Sequence, residues 1–113
     1  MENRYKLIIT NDTLYKEIEL LETMNEITIG TQYDCDVKLR KDMFLSQFKI
    51  TLKYIKEKWQ IYCSDSIYFT NGIRKYFIKT LNHNDEFDVQ YDGKGFRLFK
   101  IFFARDFSYR QVN

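Results

Sequence analysis

The 113-residue chain has no proline, four glycines, two cysteines, and one histidine and one tryptophan. A proline-free chain that is 44% hydrophobic and 30% charged is neither a linker nor a disordered segment, and its length fits one core-forming domain. Cys35 and Cys63 are too few for a disulfide-built scaffold and follow no metal-ligand spacing, so they read as reduced, half-buried small side chains. Long apolar runs are also missing. Stretches such as Ile101-Phe102-Phe103-Ala104 fall far short of the ~18 residues that span a bilayer, and Met1 to Lys6 carry no basic-then-apolar leader. The expectation is a cytoplasmic domain with no direct membrane insertion of its own. Charge of one sign is lacking too: 18 Lys and Arg face 16 Asp and Glu, and the formal charge of +2 is too small for a global field that draws the chain onto nucleic acid or anionic lipid.

The same scarcity argues against catalysis. An enzyme needs a nucleophile with a base, a carboxylate pair or metal ligands, and the single histidine, His83, lies among Asn82, Asn84 and Asp85 in a turn-forming stretch. It reads as a solvent-exposed turn residue. Gly30 stands without the repeated glycines and lysine that cradle a nucleotide phosphate. No enzyme activity, cofactor or metal is expected.

Aromatics make up 18% of the residues, with ten Phe and nine Tyr, and Ile and Thr recur, a mixture suited to pleated, half-buried strands. Leu7 to Ile9 run into Thr10-Asn11-Asp12, after which Leu14, Ile18 and Leu20 return with charged residues between them. Ile27 and Ile29 alternate with polar neighbours up to Gly30, and a polar loop leads to Val37 and Leu39. The clearest hairpin has Phe48, Ile50, Leu52 and Tyr54 on one parity, a turn at Lys56-Glu57-Lys58, and Trp59, Ile61 and Cys63 returning. Ile67 and Phe69 precede Asn71-Gly72, a dipeptide that supplies positive φ in a tight turn. Leu81 to Asp85 form a polar turn before Phe87, Val89 and Tyr91, and Asp92-Gly93-Lys94-Gly95 reverse the chain into Phe96 to Phe103. No apolar stripe keeps helical spacing for three turns. The fold expected is therefore all-β, a sandwich of about ten to eleven short antiparallel strands over residues 1–107, followed by a polar tail over 108–113.

Lys49, Lys53, Lys56 and Lys58 near Tyr54 and Trp59 resemble the cationic and aromatic mixture that holds single-stranded nucleic acid, which keeps a nucleic-acid-binding β-barrel as a remote alternative. Lysines alternating with Phe48, Ile50 and Leu52 also describe a solvated strand face, and that reading is preferred. Exposed aromatics, Tyr76 and Phe77 among them, are a candidate contact surface.

Ile29-Gly30-Thr31, then Cys35-Asp36-Val37-Lys38-Leu39, then Ser46-Gln47-Phe48-Lys49-Ile50-Thr51-Leu52 resemble the forkhead-associated (FHA) domain, a phosphothreonine-binding β-sandwich of the SMAD/FHA type. Trp59, Ser64, Ser66 and Asn71-Gly72 fall at matching offsets, and Leu81-x-x-Asn84-Asp85-x-Phe87 resembles the family's late Leu-x-x-Gly-Asp-x-Ile turn. The resemblance covers about residues 4–105 and implies that Thr31, Ser46, Gln47, Lys49, Ser66 and Asn71 are the equivalents of the phosphopeptide site. Gly30, Asp36, Gly72 and Asp85 would be structural.

Several of these residues depart from the family pattern. Thr31 stands where the phosphate-gripping arginine belongs, Gln47 where a second arginine is common, Lys49 for the bracing histidine, and Ser66 for the asparagine that holds the ligand backbone; Ser46 alone matches outright, and Asn71 keeps the second Asn-Gly turn. Charge-assisted hydrogen bonds are worth roughly 1.5 to 3 kcal/mol each, so losing two weakens binding by about 10²- to 10⁴-fold. Asp34, Asp36, Asp42 and Asp65 add repulsion, and no spacing argument puts Arg40, Lys41 or Lys49 on the phosphate. The expectation is a degenerate FHA domain kept for a phosphate-independent protein contact. The alternative is a working reader of phosphothreonine peptides in bacterial signalling.

A narrower resemblance runs through Asp12-Thr13-Leu14-Tyr15-Lys16-Glu17-Ile18, the Ile29-Gly30-Thr31 and Cys35-Asp36-Val37 motifs, and Leu98-Phe99-Lys100-Ile101 to Asp106-Phe107. It is to the N-terminal FHA domains of FtsK/SpoIIIE-family type VII secretion ATPases of Gram-positive bacteria. That resemblance implies a module on the cytosolic face of a membrane-anchored, ATP-binding parent, with another secretion component as its protein partner.

Overall fold

The computed structural model describes residues 3–44, 46–64, 66–93 and 97–106. The expected tail over 108–113, Phe107, Asp65 and the Lys94-Gly95-Phe96 part of the last turn lie outside the described residues. The described residues form eleven strands: β1 (Arg4–Thr10), β2 (Tyr15–Leu21), β3 (Glu26–Gly30), β4 (Val37–Lys38), β5 (Lys49–Ile55), β6 (Lys58–Cys63), β7 (Ile67–Thr70), β8 (Lys75–Tyr76), β9 (Ile78–Thr80), β10 (Asp85–Tyr91) and β11 (Arg97–Asp106). Glu22–Met24 and Lys41–Met43 are single 3-10 turns.

The strands make two sheets, one in the order β2-β1-β11-β10-β7-β8 and the other β4-β3-β5-β6-β9. Period-2 alternation gives each sheet one apolar face, and burying both faces against each other builds the core. Leu7, Ile9, Leu20, Phe69, Val89, Phe99 and Ile101 from the first sheet meet Ile29, Ile50, Leu52, Trp59 and Ile61 from the second in one cluster. The all-β sandwich follows the sequence pattern, with one departure from the antiparallel expectation. Residues Ile29 and Gly30 pair in parallel with Val37 and Lys38, because the loop between β3 and β4 loops back before β4 rather than turning as a hairpin.

Turn chemistry sets the register. Lys56 and Glu57 both adopt positive φ (52° and 66°), as a two-residue hairpin demands, and this pairs Tyr54 with Trp59. Asn84 takes φ 70° in the turn before β10, the conformation that Asn tolerates better than most residues. That turn is closed by Asp85, whose carboxylate accepts the Asn82 N–H at 2.7 Å. Cys35 is buried rather than half-buried, and Cys63 is half-buried; both are free thiols.

Two poles result. At one, β3 ends, β5 begins, β6 ends and β7 begins; at the other lie the Glu22–Met24 turn, the β5–β6 turn and the end of β11. The seven residues of β5 put about 20 Å between them.

Candidate functional site

The first pole gathers five of the six residues singled out from the sequence. Thr31 follows β3, Ser46 and Gln47 precede β5, Lys49 opens β5, and Ser66 precedes β7. The segments are tied together by short bonds. The Thr31 N–H donates to the Phe48 carbonyl at 3.1 Å, the Lys49 N–H to Ser64 Oγ at 3.2 Å, and the Ser66 hydroxyl to the Gln47 carbonyl at 3.2 Å. The Ser46 N–H donates to the Tyr91 hydroxyl oxygen at 3.2 Å, and that hydroxyl points back toward the Ser46 carbonyl at 3.5 Å. The sixth residue, Asn71, sits at the far end of the four-residue β7 from Ser66, five residue steps or about 17 Å away. Its Oδ1 accepts from the Ile73 and Arg74 N–H groups, which shapes the turn in which Gly72 reaches φ 97°.

Thr31 is 1% exposed, and its Oγ1 accepts the Phe48 N–H at 3.0 Å. The hydroxyl thus completes the backbone ladder between β3 and β5 from inside the fold instead of facing outward. Replacing it with an isosteric apolar group leaves a buried N–H without a partner. Thr31→Val is therefore expected to cost about 1 to 3 kcal/mol in urea unfolding with an unchanged m-value. A loss under ~0.5 kcal/mol would mean that another acceptor reaches Phe48.

Asp36 works in a similar way. Its Oδ2 accepts the Thr28 N–H at 2.9 Å and the Thr28 hydroxyl at 3.1 Å, while its own N–H donates to Thr28 Oγ1 at 2.9 Å. This reciprocal pair ties the loop between β3 and β4 to Thr28, whose ladder partner in β5 is Thr51.

Three cations around this pole are paired. Lys49 Nζ lies 3.0 Å from Asp34 Oδ2, Arg40 grips Asp42 through two bonds of 3.1 and 2.6 Å, and Lys75 Nζ lies 3.2 Å from Asp92 Oδ1. The hydrogen bond from Lys49 holds the Asp34 carboxyl below the usual carboxylate range, and the same bond raises Lys49. An incoming phosphate would have to displace a carboxylate from each of these three cations. The four-lysine stripe does not form a binding face either. Lys49 and Lys53 are engaged by Asp34 and Glu26, Lys56 and Lys58 lie at the opposite pole, and Trp59 is inside the core, so it offers no ring for base stacking.

Tyr76 and Phe77 part company: Tyr76 is half-buried against the core, whereas Phe77, Ile73 and Ile78 are exposed. Sequence reasoning missed Ser64 and Tyr91 as the partners of Lys49 and Ser46. Their spacing from those partners, 15 and 45 residues, leaves no local signal. Among the described residues no group of three His, Cys, Asp or Glu is placed to hold a metal, and no helix is long and apolar enough to cross a membrane.

No protein-family model and no curated protein sequence matches the chain. Solved structures with a similar fold include the Slr1951 protein from Synechocystis sp., with a TM-score of 0.62 and 18% identity over 94% of this chain and 98% of that one. FHA-1 of Rv1747 from Mycobacterium tuberculosis is similar as well, with a TM-score of 0.53 and 11% identity over 89% of this chain and 96% of that one. At these identities the likeness concerns the backbone, and it agrees with the strand count, the two sheets and the sequence motifs: the fold is an all-β sandwich of the FHA type.

Proposed function

We propose that this domain is a non-enzymatic protein-interaction module whose FHA-type loop pole has lost its grip on phosphothreonine. The observation that carries the reading is Thr31. Where the sequence resemblance calls for an outward-reaching arginine, a buried hydroxyl holds the Phe48 N–H, and the neighbouring Lys49 is engaged by Asp34. Arg40 and Lys75, the other cations at this pole with a described partner, are likewise held by Asp42 and Asp92. Among the described residues the guanidinium that these loops carry, that of Arg40, already holds Asp42 with two donors, so the bidentate fork that gives phosphate recognition both energy and geometry is engaged.

The test is an amide-resolved NMR titration with a degenerate phosphothreonine peptide library beside the same library without phosphate. No phosphate-dependent shift is expected at Thr31, Ser46, Gln47, Lys49 or Ser66. Shifts confined to those residues and to the phosphorylated library would overturn the reading in favour of a working phosphopeptide reader.

The parent context rests on the sequence resemblance alone. Asp12 to Ile18, the Gly30 and Cys35-Asp36 motifs and the closing Leu98 to Phe107 stretch support a place on the cytoplasmic side of a type VII secretion ATPase, where the partner would be another component of that machine. The coding sequence after Asn113 decides this: membrane spans and nucleotide-binding motifs are expected there, and an immediate stop codon would exclude it.

A further inference from the structure

The two sheets end in four edge strands, β2 and β8 in one and β4 and β9 in the other. Unpaired backbone groups along an edge are a template for another strand, and charged side chains are the usual protection. β2 has that protection in Lys16, Glu17 and Glu19, with Arg4 and Lys6 behind them. β4 ends in Lys38 and β8 opens with Lys75, and each is two residues long. The β9 edge differs, because its outward side chains, Ile78 and Thr80, are uncharged.

The ladder with β6 fixes which way β9 faces. The Cys63 N–H donates to the Phe77 carbonyl at 3.1 Å, and the Leu81 N–H donates to the Trp59 carbonyl at 2.8 Å. Bonded positions alternate along an antiparallel pair, so Lys79, opposite Ile61, is the bonded residue between them, and Ile78 and Thr80 turn N–H and C=O to the open side. Among the described residues no strand lies beyond β9. Side chains alternate as well. Lys79 shares the core side with Ile61, and its ammonium lies 3.6 Å from Asp85, so a strand added at this edge leaves no charge unpaired. Ile78, 60% exposed, faces outward beside Phe77 and heads a cross-strand row through Tyr62 and Thr51 to Thr28 that holds no charged side chain. Lys53, in the next row, lies over the Tyr62 ring at 5.5 Å and pairs with Glu26 at 3.9 Å. On β8, just upstream, Lys75 is held by Asp92 at 3.2 Å, and Arg74 lies in the turn before it.

We propose that β9 pairs with β9 of a second copy of this chain, antiparallel about a two-fold axis at Ile78, so that the sheet containing β9 runs on through both molecules. In that register Ile78 meets its twin on the outer face and exchanges N–H and C=O bonds with it, while Phe77 falls opposite Lys79 and no like charges face each other. Moving the axis to Lys79 would set two ammonium groups opposite each other. The shortness of the edge selects a second copy over a foreign segment. Ordering a flexible segment costs entropy at every residue, which so few bonds do not offset, whereas a second β9 is already held extended by its own β6. A three-residue strand is about 10 Å long, so the contact is small and the dimer weak, with a dissociation constant of about 0.1 to 1 mM.

The experiment uses the whole 113-residue chain, in sedimentation equilibrium and in an amide-resolved NMR dilution series from about 10 µM to about 2 mM, either side of that constant. The average mass is expected to rise with concentration toward twice that of the chain. Amide signals of Phe77, Ile78 and Lys79 should move with it, and hydrogen exchange at the Ile78 amide should slow as the dimer fills. Ile78→Lys, at an exposed position, sets lysine opposite lysine and should weaken association at least about tenfold, whereas Tyr15→Lys on the β2 edge should leave it unchanged. A chain that stays monomeric throughout would overturn the proposal, leaving the edge to a strand of another protein. So would association that survives Ile78→Lys, or whose dilution shifts fall on β2 or the loop pole. An Ile78 amide equally protected at both ends of the series would also overturn it, by giving the edge to a segment of the same chain. None of these readouts depends on Thr31 or Lys49, so failure here leaves the reading of the phosphothreonine loops untouched.

Discussion

Gly30→Ala is expected to destabilise the domain by about 3 kcal/mol, which in a domain of this size lowers the melting temperature by roughly 10 to 20 °C. A Cβ at this position would lie 2.3 Å from the Phe48 carbonyl oxygen and 3.0 Å from the Lys49 Cα. Both are backbone atoms, so no side chain can swing aside to relieve the clash. The end of β3 would have to part from the start of β5, and the bonds between Thr31 and Phe48 would lengthen with it. Gly72→Ala provides the contrast. Nothing lies within 4 Å of a Cβ there, and the cost comes only from φ +97°, a region L-residues avoid at about 1 to 2 kcal/mol. Chemical denaturation of the two variants separates crowding from backbone strain. A Gly30→Ala cost no larger than that of Gly72→Ala would refute the close approach of β3 and β5.

The sheets were legible where burial alternates. Along β5 and β6, Ile50, Leu52, Trp59 and Ile61 are fully inside while Thr51, Lys53 and Gln60 are half-buried outward residues, so the sequence and the sheet carry the same period. β8 and β9 lacked that signal. Neither contains a buried residue, and the adjacent Phe77 and Ile78, 46% and 60% exposed, leave apolar side chains outside on both parities. The parallel β3–β4 pair was hidden for another reason: two residues of strand are too few to show a period, and their direction depends on the path of the intervening loop.

The candidate sites divide along similar lines. The convergence of Thr31, Ser46, Gln47, Lys49 and Ser66 was legible because the motif order places each at a strand end. What each side chain does there was not legible, since the fate of Thr31 depends on its depth and on the Phe48 N–H it meets 17 residues away. The open edge at β9 was legible only through Phe77. That Ile78 and Thr80 turn their backbone groups outward depends on the bonds that Phe77 and Leu81 make to β6, and a three-residue strand shows no period from which to read it.

Phe48→Ala is expected to have the largest effect of any single truncation at the loop pole, about 3 to 5 kcal/mol. The ring is fully buried, edge-on to Phe44 at 5.1 Å and tilted against Phe99 at 5.8 Å, so its loss opens a cavity where the two sheets meet. Its backbone, meanwhile, exchanges bonds with Thr31, and its chain neighbours Gln47 and Lys49 hold Ser66 and Asp34. One residue thus anchors the core through its side chain and the loops through its amide. Hydrogen exchange on Phe48→Ala should show protection falling first at Thr31 and residue 48, while the Leu7 and Ile101 amides in the first sheet keep theirs until global unfolding. Because the Thr31 hydroxyl and the Phe48 ring act on the same strand end, Thr31→Val and Phe48→Ala are expected to be non-additive, with a coupling of about 0.5 kcal/mol or more in a double-mutant cycle. Additive losses would mean that the loops rest on their own hydrogen bonds. Coupled losses would mean that the interaction surface inherits its rigidity from the core, so that substitutions deep inside the sandwich change what the loop pole can bind.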